Sequence, residues 1–144
     1  RLSPPGLAQL VALGATELGP DYAKGIVREY QARRDVLFEG LSRIPGVFLR
    51  KPEGAFCFVA RLRIEAGGDF ASWLLTDYSY DGATVMVAPA QGFYATAGLG
   101  RDEVRIAYVL KKEDLEASVR ILGHAIPAYQ AVRVARLAGA RTKS

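Results

Sequence analysis

Apolar positions along the chain fall first into helical and then into alternating periods. Ser3-Pro4-Pro5-Gly6 suits a helix start, and Leu7, Leu10, Val11 and Ala15 follow at helical spacing. A helix is therefore predicted within residues 3–18, ended by Gly19-Pro20. A longer helix follows, with Asp21 expected as its N-cap. Tyr22, Ile26, Tyr30, Leu37, Leu41 and Ile44 form its apolar stripe, flanked by Val27 and Phe38. Arg28, Arg33, Arg34 and Glu39 take the opposite face, and Pro45-Gly46 stops the helix. At roughly 24 residues it would span about 36 Å, a length suited to bridging two bodies.

Beyond Gly46 the pattern shortens. Val47–Arg50 reads as a short strand and Pro52-Glu53-Gly54 as a turn. Ala55–Ala60 is apolar at every position, which predicts a strand covered on both faces. Gly67-Gly68-Asp69 is a second turn, with Asp69 placed to cap a helix from Phe70 to about Tyr78. Thr84–Ala88 reads as a strand ending at Pro89, Ala90–Gly100 as a loop, and Glu103–Leu110 as another strand. Lys111-Lys112-Glu113-Asp114 opens a final helix that buries Leu115, Val119, Leu122 and Ile126. Acids at its start suit the helix dipole. Strands and helices are interspersed without strict βαβ alternation. The expected fold is α+β: a small mixed sheet of three or four strands with helices packed on it.

Composition adds limits. The chain has 144 residues, one ordinary domain with room for a core free of covalent staples. Its net charge of +4 comes from 19 Lys+Arg against 15 Asp+Glu. Arg133, Arg136, Arg141 and Lys143 all follow the last acid, Glu116, so the excess belongs to a basic tail and argues against a nucleic-acid face. One cysteine, Cys57, and one histidine, His124, exclude an intrachain disulfide and a Cys/His zinc site. No apolar run reaches the roughly 20 residues of a membrane helix. A reducing, cytoplasmic setting is the expectation. The chain begins with Arg1 and not Met, so it is expected to be processed or a piece of something longer.

Among residues that carry chemistry, Arg105 is the most informative. It shares a strand face with Glu103, Ala107 and Val109, while Val104, Ile106 and Tyr108 form the other. Both faces read as buried, so the guanidinium needs an anionic partner. That partner is either a structural carboxylate or a bound anion. The loop from Pro89 to Tyr94 follows a strand, where ligands often sit, or else folds its aromatics over the core. Gly98-Leu99-Gly100 has no helix N-terminus after it and is no phosphate loop. Cys57 reads as a buried, inert thiol and His124 as a histidine without a partner. Glu113, Asp114 and Glu116 read as helix-start charges. Lys24, Lys51, Lys111, Lys112 and Lys143 all read as solvated.

Several of these motifs occur together in one family. Pro52-Glu53-Gly54-Ala55-Phe56, Val85-Met86-Val87-Ala88-Pro89, Gly92-Phe93 and Val104-Arg105-Ile106-Ala107-Tyr108 follow one another with compatible gaps. This run resembles the carboxy-terminal part of the class I/II aminotransferases, the aspartate aminotransferase-like, fold-type I enzymes that use pyridoxal phosphate. Ser3-Pro4-Pro5 with Gln9 resembles the family's stretch after the cofactor-binding lysine, and Tyr30 with Arg33-Arg34-Asp35 resembles its interdomain helix. The resemblance covers about residues 1–130.

It implies a homodimeric enzyme that moves an amino group between an amino acid and a 2-oxo acid. It also implies that Arg105 holds the substrate α-carboxylate. By the same resemblance, residues 1–19 close the large domain, 20–130 form the small domain, and 131–144 are a basic extension. The family often has Pro-Gly at Pro89-Ala90, Phe-Gly at Phe93-Tyr94, and Tyr at Cys57. None of the five lysines has Ser or Thr three positions before it, as the family's Schiff-base lysine commonly does. The chain alone is therefore expected to lack a cofactor attachment and to be inactive without the large domain. The competing expectation is a free-standing α+β module that binds an anion or a protein partner without catalysis.

Overall fold

The computed structural model describes residues 3–141. Its first helix, α1 (Gly6–Thr16), starts behind Pro5 and buries no residue. α2 (Pro20–Ser42) is capped by Gly19, not by Asp21. Pro20 has a fixed φ and no N–H to satisfy, so it takes the first helical position and moves the cap back one residue. Asp21 instead pairs with Lys24 in the first turn, at 3.1 Å. The buried residues of α2, Leu37 and Leu41, lie in its second half. Tyr22, Ile26 and Val27 of the same stripe are exposed.

Four strands follow: β1 (Phe48–Leu49), β2 (Cys57–Arg61), β3 (Ala88–Pro89) and β4 (Glu103–Ala107). They form one sheet in the order β1-β2-β4-β3. Every pairing is antiparallel, so the sheet is not mixed. β3 is shorter than the Thr84–Ala88 strand expected. The Thr84 hydroxyl donates to the Leu74 carbonyl at 2.7 Å, which ties this segment to the helix beneath it instead of to the ladder.

That helix, α3 (Gly67–Thr76), is capped by Ala66, with Asp69 in its first turn and not at the cap. The Gly67 N–H donates to the Arg101 carbonyl at 2.6 Å. A Cβ at Gly67 would stand 2.6 Å from the Glu103 carbonyl oxygen, so only glycine lets α3 start this close to β4. α4 (Lys112–Arg141) runs through Pro127. It buries Leu115, Leu122, Ile126 and Tyr129. The segment after residue 130 continues this helix: Val132 packs against the core and Arg133 pairs with Glu65. Arg1, Lys143 and the side chains of Leu137 and Arg141 lie outside the described residues.

The core sits between the sheet and α2, α3 and α4. Phe58 and Ala60 of β2 and Val104 and Ile106 of β4, with Tyr108 just beyond it, point into it. Each fully buried leucine or phenylalanine contributes about 2 kcal/mol by leaving water. Cys57, Val59 and Arg61 alternate onto the other face, and there Val59 and Arg61 are exposed and Cys57 is half-buried. The expectation of strands covered on both faces therefore fails. α2, α3 and α4 pack on one side, and the strand pleat sends every second side chain away from them.

Tyr108 closes one end of this core. It is buried, and its hydroxyl lies 2.9 Å from the Gly54 carbonyl and 3.1 Å from that of Ala55. Ala55 sits in the left-handed region at φ 64°, a conformation disfavoured for a side chain with Cβ. The Tyr108 hydroxyl thus holds a strained turn in place. Tyr108→Phe is expected to cost about 1–2 kcal/mol, read by urea denaturation. A loss below the error of that measurement would show that the turn holds itself.

Candidate functional site

Arg105 lies in the middle of the open sheet face. The ladder pairs it with Val59 on one side and Ala88 on the other. It is exposed, which corrects the expectation of a buried, paired guanidinium. Among the described residues it makes no salt bridge. Its guanidinium instead rests on the Phe93 ring, 4.6 Å from the centroid. A guanidinium that makes a cation–π contact and no salt bridge still has N–H groups to offer to an anion.

The loop after β3 supplies that ring. The Ala90 N–H donates to the Glu103 carbonyl at 3.0 Å, and a 3₁₀ turn over Gln91–Phe93 then carries the chain across β4. Tyr94 comes next, and its hydroxyl donates to Glu103 Oε2 at 2.5 Å. That bond, with smaller desolvation and charge effects, pushes the phenol above its ordinary pKa. Gly100, at φ +70°, closes the loop against Tyr94: a Cβ there would stand 2.5 Å from the ring. Two consecutive aromatics therefore contact two same-face residues of β4, Phe93 meeting Arg105 and Tyr94 meeting Glu103. Neither the Tyr94–Glu103 bond nor the stacking of Phe93 on Arg105 was anticipated.

A shallow groove of about 750 Å³ runs along the same face, lined in part by Phe48, Cys57, Val59, Arg61 and Glu103. Cys57 is half-buried on this groove and not sealed in the core as expected. His124 is exposed on α4 and its ring stacks on Tyr80, with centroids 4.2 Å apart. Glu113 and Asp114 sit in the first turn of α4, as their pattern predicts. Lys24, Lys51 and Lys111 pair with Asp21, Asp35 and Asp114 respectively. Lys112 is exposed, and no lysine among the described residues is desolvated for imine chemistry. Among the described residues no group of His, Cys, Asp and Glu could hold a metal ion, and no helix is long and apolar enough to cross a membrane.

The Arg33-Arg34-Asp35 motif has a framework role. Arg33 Nη1 donates to the Val109 carbonyl at 2.6 Å, and Arg34 Nη1 to the Pro52 carbonyl at 3.0 Å. Arg34 Nε and Lys51 Nζ both reach Asp35 Oδ1, at 2.8 and 2.9 Å. These two cations, Arg34 foremost, hold the Asp35 carboxyl below the usual carboxylate range. α2 is thereby fastened to the segment after β4 and to the Pro52 turn, the two flanks of the open face.

No protein-family model matches the chain. An aspartate aminotransferase of Musicola paradisiaca is 31% identical over 112 residues, covering 74% of this chain and 25% of its own length. An aminotransferase structure from Mycobacterium tuberculosis superposes with a TM-score of 0.71 at 30% identity, over 89% of this chain and 32% of that one. The chain belongs to the aspartate aminotransferase-like, fold-type I family. It corresponds to a carboxy-terminal part of such an aminotransferase. Alanine aminotransferase from Pyrococcus furiosus shares the fold, with a TM-score of 0.73 at 24% identity, over 89% of this chain and 31% of that one. The chain thus spans about a quarter of the length of the curated aminotransferases it matches.

Proposed function

We propose that this chain is the substrate-carboxylate-binding segment of a pyridoxal-phosphate-dependent aminotransferase. In this reading the longer enzyme transfers an amino group between an amino acid and a 2-oxo acid. Arg105 carries the proposal. It is an exposed guanidinium placed over an aromatic ring, with no carboxylate of the described residues bound to it. A carboxylate accepts two parallel N–H bonds from such a fork. That geometry fixes both the charge and the orientation of the group it holds, and so presents the substrate Cα in one position.

The residues present do not fit the cofactor. Pyridoxal phosphate, when bound, supplies the electron sink for amino-group transfer. Its attachment needs a lysine freed of solvent, and those described here are paired or exposed. The cofactor and its lysine are therefore assigned to the large domain upstream. Residues 1–19 close that domain, 20–130 form the small domain, and 131–144 are a basic extension. The family resemblance supports a cytoplasmic homodimer as the working form. The exposed apolar residues of α1 and the first half of α2 are the parts this chain offers to a large domain.

The test is spectroscopic. The 144-residue chain mixed with pyridoxal phosphate is expected to show no stoichiometric imine band. The protein extended upstream to include the large domain is expected to show one and to transaminate. A stoichiometric band from the short chain would overturn the assignment of the cofactor upstream. An extended protein without transaminase activity would favour a non-catalytic anion-binding module.

A further inference from the structure

We propose that Tyr94 is a positioning residue for Arg105, acting by holding the Glu103 carboxylate away from the guanidinium. This inference rests on the reading of Arg105 as the substrate-carboxylate site. Glu103 and Arg105 project from the same face of β4, two residues and roughly 7 Å apart. Their side chains are long enough to meet across that distance. A free Glu103 carboxylate would therefore compete with substrate as a tethered ligand, present at high effective concentration.

The structure shows that carboxylate engaged elsewhere. The Tyr94 hydroxyl donates to Glu103 Oε2 at 2.5 Å. The loop makes this engagement rigid. Glu103 N–H donates to the Gly100 carbonyl at 3.2 Å, and Gly100 presses its bare Cα against the Tyr94 ring. Phe93, one residue earlier, occupies the face of the guanidinium. One short segment thus seats the cation and diverts its nearest acidic neighbour on the strand. With glycine at position 94, the phenol would be missing and Glu103 free.

The test is a double-mutant cycle in the full-length enzyme. Tyr94→Phe keeps the ring against Gly100 and removes only the hydroxyl. It is expected to raise KM for the amino acid, and Ki for the simple competitor propionate, about tenfold, with kcat little changed. Glu103→Gln removes the competing charge, so adding it to Tyr94→Phe is expected to restore both constants. An unchanged KM in Tyr94→Phe, or a defect that Glu103→Gln does not rescue, overturns the inference. Arg105→Lys is measured alongside. If it is severe while Tyr94→Phe is silent, the positioning role fails and the carboxylate site stands. If Arg105→Lys is itself silent, the site reading fails first.

Discussion

In the full-length enzyme, Arg105→Lys is expected to lower kcat/KM for α-amino acids by about 100-fold. The figure follows from the chemistry of the fork. Arg105 offers a carboxylate two parallel charge-assisted bonds from a planar group. Lysine keeps the positive charge but presents it as a point, without the planar fork that Arg105 holds over the Phe93 ring. Losing one bond to a charged partner removes about 1.5–3 kcal/mol, and each 1.4 kcal/mol is tenfold in rate. Misalignment of the substrate adds to that loss, so kcat is expected to fall as KM rises. The control is an amine without a carboxylate. Its slow turnover should be unchanged by the substitution, because it has nothing for Arg105 to hold. Equal losses for amine and amino acid would show that Arg105 supports the fold and not the substrate.

Arg105 was visible in the sequence, but for a reason that the structure revises. The strand Glu103–Leu110 looks apolar on both faces, and a cation inside it seemed to need a buried partner. In the structure the strand is covered on one face only, and Arg105 points the other way. Apolar residues such as Val59 and Phe56 show that a surface is unsuited to water, not which segment covers it. The same holds for α1, whose leucines keep helical spacing and yet bury nothing here. The order of elements was legible because turns carry their own chemistry, as at Pro45-Gly46 and Pro52-Glu53-Gly54. Caps were less so: Asp21 and Asp69 had the right side chains, but Pro20 and the close approach of Gly67 to β4 set where the helices begin. The bond between Tyr94 and Glu103 had no local signature, since its partners, nine positions apart, meet only after the loop between them has folded back.

The division between a packed face and an open one makes the second large prediction, on a pair of phenylalanines. Phe70 of α3 is fully buried, 6.2 Å from the Trp73 ring and 5.2 Å from the Tyr129 ring of α4. Phe70→Ala removes the transfer energy of the ring, leaves a cavity between two helices, and loses two aromatic contacts. The expected cost is about 4 kcal/mol, or a fall of about 15 °C in Tm for a chain of this size. Phe93 is 61% exposed on the other face, with its ring against the solvated Arg105 guanidinium. Phe93→Ala is expected to cost under about 1 kcal/mol in stability. Its effect belongs instead to substrate binding, through the seat of Arg105. Calorimetry of the two variants separates these roles directly. If Phe93→Ala destabilised the chain as much as Phe70→Ala, the Phe93 ring would be a core contact, and Arg105 would owe its place to packing and not to an open anion site.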